Sequence, residues 1–344
     1  MTLAVASGKG GTGKSFVSLH CAAVSPGPVC LLDCDVEAPN TSLFLDPRDA
    51  AVEDVTVPFV RIDADRCTGC GECVKVCAYS ALARVGDTAI VFPGLCHGCG
   101  GCVDVCPEAA ITESERKIGE MTSSRNVFDR FSADPEGSAE TSSARPGGTG
   151  EASSGRGIDC WAEGRLTLGE ALGPPLIRRV RRHGTELARE GGADTVIIDC
   201  PPGTSCPMVN AVRGADYCIL VTEDTPFGLN DLELSVEVLK NLSIPCGIVI
   251  NKYFDGAAGI EDFAETVSVP VLLRIPYDEE IASCYSRGRL VPGDSPLWKE
   301  FECLMKGIFS SPQPEEDRKG DCVGQTKGRR KPGALRRDAG KGKT

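Results

Sequence analysis

The chain has 344 residues, a formal net charge of −12, 40 glycines and only 5% aromatic residues. That length allows more than one domain and a sizeable core. No run of about 18 apolar residues exists to cross a membrane, and the start "MTLAVASGKGG" lacks the basic opening of a signal peptide. A cytoplasmic protein is expected, with neither a nucleic-acid partner nor a membrane anchor. Nineteen cysteines in a chain of this size, with no export signal, point to metal or cluster ligation rather than disulfides. Eight fall in two repeats. The other eleven are scattered, many in apolar runs such as "YCILV" and "IPCGIVI", and read as reduced, buried, small hydrophobes.

In chain order, residues 3–7 predict a first strand, followed by a glycine-rich loop and a helix from about Lys14. "VCLLDCD" predicts a second buried strand. "FVRIDADRC" leads into a cysteine-rich module that runs to about Thr112, with a short strand in "DTAIVF". From about residue 120 to 157, Ser, Gly, Glu and Thr dominate and apolar residues nearly vanish. Such a segment cannot bury enough surface to offset its ordering entropy, and a disordered insertion is expected. Order returns with "GRLTLGEALGPPLIRRVRRHG", a short extended piece and then a helix from about Pro174. "ADTVIIDCPPG", "DYCILVTED", "PCGIVINKY" and "VPVLLRIPYD" are four further strands separated by helical stretches. Continuous Val, Ile and Leu runs of this kind form a parallel sheet covered on both faces.

The expected organisation is therefore an α/β domain with a doubly wound, mostly parallel sheet, contributed by residues 1–57 and 161–310. Residues 58–115 form an inserted module and residues 116–160 a disordered insertion. Residues 311–344 carry ten Lys and Arg against five Asp and Glu. They read as a basic, solvated tail.

"GKGGTGKS", residues 8–15, fits G-x-x-x-x-G-K-[ST]. Around Thr12, the glycines Gly8, Gly10, Gly11 and Gly13 let backbone N–H groups turn inward about phosphate oxygens. Lys14 reaches the β- and γ-phosphates, and the Ser15 hydroxyl ligates Mg²⁺. A helix beginning at the loop adds its positive end.

With the extra lysine Lys9, "KGGTGKS" resembles the deviant Walker A loop of MinD/ParA-like ATPases, a superfamily that includes the nitrogenase iron protein and the Mrp-type cluster carriers. The resemblance covers residues 1–45 and about 165–305, and implies a P-loop NTPase fold that hydrolyses ATP with Mg²⁺. It implies that Lys9 crosses to a partner subunit's nucleotide, in a homodimer or a heterodimer with a related ATPase. "LLDCDVEAPN" resembles switch I, in which Asp35 would orient the attacking water and serve the Mg²⁺ site. "VIIDCPPGTS" resembles the Walker B strand and switch II, where Asp199 would hold Mg²⁺ through water. "VINKY" places Asn251 at the adenine-contacting position, and "IPYD", with Pro276, resembles the base loop. Strand-end carboxylates also cap turns in many proteins. Beside this loop, however, Asp35 and Asp199 supply what phosphoryl transfer needs, charge neutralisation and an aligned water.

"RCTGCGECVKVC" and "LCHGCGGCVDVC" each space four thiols as C-x2-C-x2-C-x3-C, and the two repeats start 29 residues apart. This is the bacterial ferredoxin spacing for a [4Fe–4S] cluster. The resemblance to two-cluster ferredoxins covers about residues 58–113 and implies an inserted α+β ferredoxin domain. One cluster would sit on Cys67, Cys70, Cys73 and Cys106, and the other on Cys77, Cys96, Cys99 and Cys102. The sequence departs from the pattern at Ala78, where proline is usual, and keeps it at Pro107. Zinc sites generally use two separated pairs rather than two tight quartets. His97 reads as lining the second loop rather than ligating, and Cys206 as a packing or switch thiol.

The insertion point, between switch I and the Walker B strand, resembles that of MinD-superfamily ATPases with an inserted ferredoxin domain. Two rival functions are expected from these resemblances. The first is a dimeric ATPase that couples nucleotide state to electron transfer through two [4Fe–4S] clusters, with a redox donor or acceptor as partner. The second is a carrier or maturation factor serving an apo-metalloprotein, although the C-terminal C-x2-C of Mrp-type carriers is absent outside the module. A MinD-type positioning role lacks its terminal membrane helix, and a synthetase role lacks a glutaminase domain.

Overall fold

The computed structural model describes residues 1–129, 158–254 and 259–310. From the N-terminus, β1 (Thr2–Ala6) feeds α1 (Lys14–Ala23), which returns to β2 (Val29–Asp33). A short β3 (Leu45–Arg48) precedes the long β4 (Ala51–Ile62). The cysteine segment follows, with α2 (Glu72–Val76), the hairpin β5 (Leu82–Val85) and β6 (Thr88–Val91), and α3 (Gly101–Asp104). Then come β7 (Ile111–Ser124), β8 (Asn126–Asp129), β9 (Ile158–Leu166), α4 (Gly173–Gly191) and β10 (Thr195–Asp199). The remainder alternates as α5 (Cys206–Val212), β11 (Tyr217–Glu223), α6 (Pro226–Asn241), β12 (Cys246–Tyr253), α7 (Ile260–Val267), β13 (Val271–Pro276), α8 (Glu279–Ser286) and α9 (Pro296–Ser310).

Among the described residues, nine strands form one sheet in the order β13-β12-β11-β1-β10-β2-β9-β7-β4. The first seven run parallel, β7 pairs antiparallel with β9, and β4 pairs antiparallel with β7. Every residue of β1 beyond Thr2, and all of β2 and β10, is buried. Alternate residues serve opposite faces. Ala4, Leu32, Ile198 and Leu220 pack in one apolar cluster with Leu176, Val180, Met208 and Leu232 of the helices on that side. Leu3, Leu31, Ile197 and Val221 pack in the other with Phe16, Leu19 and Phe301. This is the doubly wound, mostly parallel arrangement expected of continuous apolar strands.

The sequence of α4 explains its position. Pro174 and Pro175 occupy the first turn, where a missing N–H costs nothing, and Gly192 ends the helix at φ 72°. Leu176, Ile177, Val180, Gly184, Leu187 and Ala188 face inward. At Gly184 a β-carbon would collide with Leu32, so the helix lies against β2 because this residue is glycine.

The cysteine segment stands on a two-stranded arm. Among the described residues, only the inner half of β7, from Gly119 to Ser124, pairs with β9; the outer half pairs with β4 alone, as far as Ile111 opposite Ile62. The unsupported part spans roughly 23 Å at the usual rise per residue. A register shift leaves Ile118 as an extra, fully buried residue where the arm departs. Such a bulge bends the strand and increases its twist. Because β7 opposes β9, the arm projects past the C-terminal ends of the parallel strands, the same edge on which the loop after β1 lies.

Part of the segment expected to be disordered is therefore ordered. Residues 116–124, 126–129 and 158–160 belong to β7, β8 and β9. Only Arg116 and Lys117 of these lie on the outer arm, whereas Ile118, Met121, Ser123, Ser124, Ile158 and Cys160 are buried. Residues 130–157, the rest of that expectation, and the tail 311–344 lie outside the described residues. Among the described residues no helix is long and apolar enough to cross a membrane.

Candidate functional site

The loop of residues 8–15 joins β1 to α1, and Gly13 precedes the first helical residue, Lys14. Gly11 and Gly13 take positive φ, 81° and 95°, which only glycine adopts without strain. At Gly13 a β-carbon would meet the Asn251 amide, and at Gly8 one would lie 2.5 Å from Asp231. Gly10 and Gly11 face open space instead. The loop thus packs tightly against the protein on one side and leaves its backbone open on the other, as a phosphate cradle requires.

Lys14 and Ser15 are buried at the start of α1. Asp199 is buried at the end of β10, and neither of its carboxylate oxygens has a hydrogen-bond partner among the described residues. Burial pushes its carboxyl up to about 6, while the nearby Ser15 hydroxyl and the Lys14 charge pull it down. An orphaned buried carboxylate beside a lysine and a serine is the donor set for a hydrated divalent cation on a polyphosphate. Asp35 lies just past β2. Burial raises its carboxyl as well, against the opposing pull of Lys14.

Sequence reasoning missed Asp33. It is fully buried and pairs in register with Asp199 on the neighbouring strand. Its carboxylate accepts from the backbone N–H groups of Asp35 (3.1 Å), Asn40 (3.0 Å) and Thr41 (3.0 Å). It therefore holds the loop that carries Asp35. Thr41 in turn accepts from the Trp161 indole N–H on β9 at 3.0 Å. The only sequence hint was a second carboxylate in "LLDCD".

The structure sets Asn251 against the loop. Its amide donates to the Thr12 carbonyl at 2.8 Å, and its Oδ1 accepts from Lys252 N–H at 2.9 Å. Pro276 ends β13 in register with Tyr253. Beside them, exposed Phe254 and Tyr277 stack with ring centroids 5.6 Å apart. Tyr277 falls within the "IPYD" stretch that resembles the base loop, whereas its partner Phe254 was missed, because an isolated aromatic carries no sequence signature. Lys9 makes an ion pair with Glu223 at 3.0 Å. A roomy groove between β13 and α9 lies three strands from the loop, and none of the expected site residues lines it.

The two cysteine repeats take the same backbone path. Gly69 and Gly71 adopt positive φ, as do Gly98 and Gly100; Ser80 and Ala109 adopt it too. Each pair is offset by the repeat spacing of 29 residues. Cys77, Cys96, Cys99 and Cys102 line one pocket together with Gly98, Gly100 and His97. His97 stacks on Tyr79 with centroids 3.9 Å apart. Burial first, then the neighbouring thiols Cys67 and Cys70, push up the Cys73 thiol. Backbone N–H groups point at sulfur from Ala81 to Cys77 (3.3 Å), from Ala89 to Cys67 (3.4 Å) and from Ala110 to Cys106 (3.3 Å). Amide donors of this kind stabilise thiolates and are a principal means of tuning iron–sulfur sites. Among the described residues no group of three or more His, Cys, Asp or Glu side chains could hold a single metal ion. A cubane distributes its four thiolates over four irons, so that group would not require the thiols to converge on one point. Cys206 is exposed at the start of α5.

The arm is tied to the Asp199 loop through α4. Arg116, on the arm, pairs with Glu170. Glu170 also accepts from the Ala171 and Leu172 N–H groups at 3.0 and 2.9 Å, just before α4. Burial would raise the Glu170 carboxyl, but Arg116 and these amides outweigh it and bring it below its usual range. Glu53 on β4 takes a bidentate contact from Arg179 of α4 at 2.6 and 2.7 Å. On the same helix, Arg178 donates to the Asn210 side chain at 3.0 Å and Arg181 to its carbonyl at 2.9 Å. Asn210 belongs to α5, the helix that follows the Asp199 loop.

Residues 3–291 match the family described as the CobQ/CobB/MinD/ParA nucleotide binding domain. Two uncharacterized proteins of Methanocaldococcus jannaschii are similar to this chain. One is 30% identical over 84% of this chain and 90% of its own length; the other is 32% identical over 73% and 78%. An iron-sulfur cluster carrier protein of the same organism is 26% identical over 42% of this chain and 56% of its own. Among solved structures, the septum site-determining protein MinD from Pyrococcus horikoshii, complexed with Mg-ADP, aligns with a TM-score of 0.49 at 17% identity. That alignment covers 90% of this chain and 97% of the other.

Proposed function

The chain belongs to the CobQ/CobB/MinD/ParA nucleotide-binding family, and from that premise we propose that it is a dimeric ATPase whose nucleotide state controls an iron–sulfur module carried on the arm. Residues 8–15 cradle the phosphates with backbone N–H groups, and Lys14 neutralises the β- and γ-phosphates. Mg²⁺ on Ser15, with Asp199 behind it and Asp35 nearby, would supply further charge neutralisation. Asp35 orients the attacking water, on a loop that Asp33 fixes through three backbone amides. Asn251 holds the loop backbone and, with Pro276, flanks the adenine position. Lys9 reaches the nucleotide of a second chain, identical or related. Two [4Fe–4S] clusters would supply one-electron transfer, held by Cys67, Cys70, Cys73 and Cys106 and by Cys77, Cys96, Cys99 and Cys102.

One observation carries the coupling. The arm stands beyond the same sheet edge as the nucleotide loop; Arg116–Glu170 ties it to the segment before α4, Glu53–Arg179 ties the base of β4 to α4, and the Asn210 contacts tie α4 to the helix after Asp199. Loops that sense a γ-phosphate move between discrete arrangements, and these contacts give such a movement a path to the arm. The test is anaerobic potentiometry with EPR on the full chain, with and without MgATP, in an Asp35→Ala variant that binds but does not turn over. A potential shift of about 59 mV, a tenfold change for a one-electron couple, is the expected outcome. Identical potentials and reduction rates in both states refute the coupling.

A second reading, a carrier that hands iron–sulfur units to an apo-metalloprotein, is favoured by the similarity to a cluster carrier protein. It predicts transfer of iron to an apo-acceptor on ATP hydrolysis. Retention of all iron through many turnovers rejects it.

A further inference from the structure

We infer that Glu223 is a latch: it holds Lys9 within its own chain and thereby sets how readily two chains pair over ATP. The inference rests on the dimeric reading above. Glu223 closes β11 and faces Asn251 of β12 in register. One carboxylate oxygen contacts Lys9 Nζ at 3.0 Å, and the other contacts Lys252 Nζ at 2.7 Å. Burial would raise this carboxyl, but Lys252 and Lys9 outweigh it and bring it below its usual range. Glu223 is therefore an anion with two cations, and only one of them comes from the phosphate loop.

The two lysines differ in how they are held. Lys252 sits at φ 51°, and its N–H is bound by the Asn251 side chain that also grips the loop at Thr12. The Lys9 backbone is held as well, since its carbonyl accepts from the Ser7 hydroxyl at 2.6 Å. Its side chain is 32% exposed and has Glu223 as its ion-pair partner. Swinging Lys9 outward therefore breaks one partly exposed ion pair and leaves the loop backbone in place. Glu223 keeps Lys252, so no partly buried carboxylate is left without a cation, which is the situation that makes breaking such pairs expensive. A lysine that must act on another chain is thus restrained at home by a contact weak enough to release.

The test measures the protein concentration that gives half-maximal MgATP turnover in the full-length chain. Sedimentation with Mg²⁺ and a non-hydrolysable ATP analogue gives the association directly. Glu223→Gln keeps the shape and removes the charge, and should lower the half-maximal concentration about fivefold, the scale of one partly exposed ion pair. Lys252→Ala gives the carboxylate to Lys9 alone and should raise it. Lys9→Ala with Glu223→Gln should behave as Lys9→Ala by itself. A purely structural role for Glu223 would not make the first two variants move association in opposite directions.

Labelling of the nucleotide-free monomer with an amine-reactive reagent, read at Lys9 by mass spectrometry, reports the latch without a dimer. Glu223→Gln should increase it. Unchanged Lys9 labelling overturns the latch itself. Increased labelling with no gain in association overturns its control of pairing. If wild type and Lys9→Ala pair equally well, the role of Lys9 across the dimer is what fails, and the labelling still decides whether Glu223 holds Lys9.

Discussion

Asp33 and Asp199 are register partners on adjacent parallel strands, and both are fully buried. Burial of Asp199 raises its carboxyl from 3.8 to about 6. A raised folded-state value means that the native protein holds the proton more tightly. Stability gained from this group is therefore complete at low pH and lost as pH rises through about 6. At neutral pH the charged carboxylate costs on the order of 3 kcal/mol. In protein free of nucleotide and Mg²⁺, Asp199→Asn should be more stable than wild type at pH 8, with the difference shrinking towards pH 5. Urea unfolding at a series of pH values measures it; a difference independent of pH contradicts it.

Asp33→Ala should be destabilising. Three backbone N–H groups lose their acceptor at once, and a buried donor left without a partner costs about 1–3 kcal/mol. A net loss of at least about 2 kcal/mol is expected, together with slower ATP hydrolysis, because the loop carrying Asp35 loosens. Asp33→Asn keeps one acceptor oxygen and should lose less.

Lys14 and Lys9 should separate binding from turnover. Lys14→Ala should weaken MgATP binding at least about tenfold, since a buried cation leaves the phosphate cradle. Lys9→Ala should bind MgATP nearly as wild type, yet fail to associate and hydrolyse. Equilibrium binding of a fluorescent ATP analogue distinguishes them, and equal loss of binding in both variants would remove the case for a role in trans.

The arm should tolerate surgery. Ile62 and Ile111 face each other at its tip. Replacing residues 63–110 by Asn-Gly, the preferred two-residue hairpin turn, should leave a folded ATPase with basal turnover within about twofold and no iron. Aggregation of this variant, or complete loss of nucleotide binding, would show that the cysteine segment supports the sheet.

Anaerobically purified protein should carry about eight iron atoms per chain. Cys70→Ser should bring this towards about four, because Cys70 belongs to only one of the two proposed thiol sets. Iron analysis with EPR checks both values. Stoichiometric zinc without the visible charge-transfer absorbance of a cubane would reject the assignment.

Six of the seven parallel strands, all but β9, were legible because buried strands must be apolar on both sides, as "TVIID" and "VCLLD" are. The phosphate loop was legible because its glycines do work no other residue can, at Gly11 and Gly13 through positive φ. β4 and β7 were not. The stretch "TESERK" shows no apolar alternation, because the apolar contacts of this outer ladder are at its tip, where Val60 and Ile111 pack against the cysteine segment, and what stabilises it is its partner strand about 50–60 residues away. Asp33, Glu223 and Glu170 were missed for a related reason. Each gains its role from residues distant in sequence, and a carboxylate at a strand end reads the same whether it holds a loop, a lysine or nothing.

The arm also has a mechanical consequence. Its outer ladder extends roughly 23 Å beyond its last neighbour in the sheet, and the bulge at Ile118 marks where it leaves that support. A hydrogen-bonded ribbon anchored at one end converts rotation into travel. A tilt of about 5° at the bulge carries the tip through about 2 Å, given that length. Shifts at Glu170 too small to disturb the packing around Met121 would thus be magnified at the thiols, and electron transfer is the kind of process in which a distance change of that size registers as a change in rate.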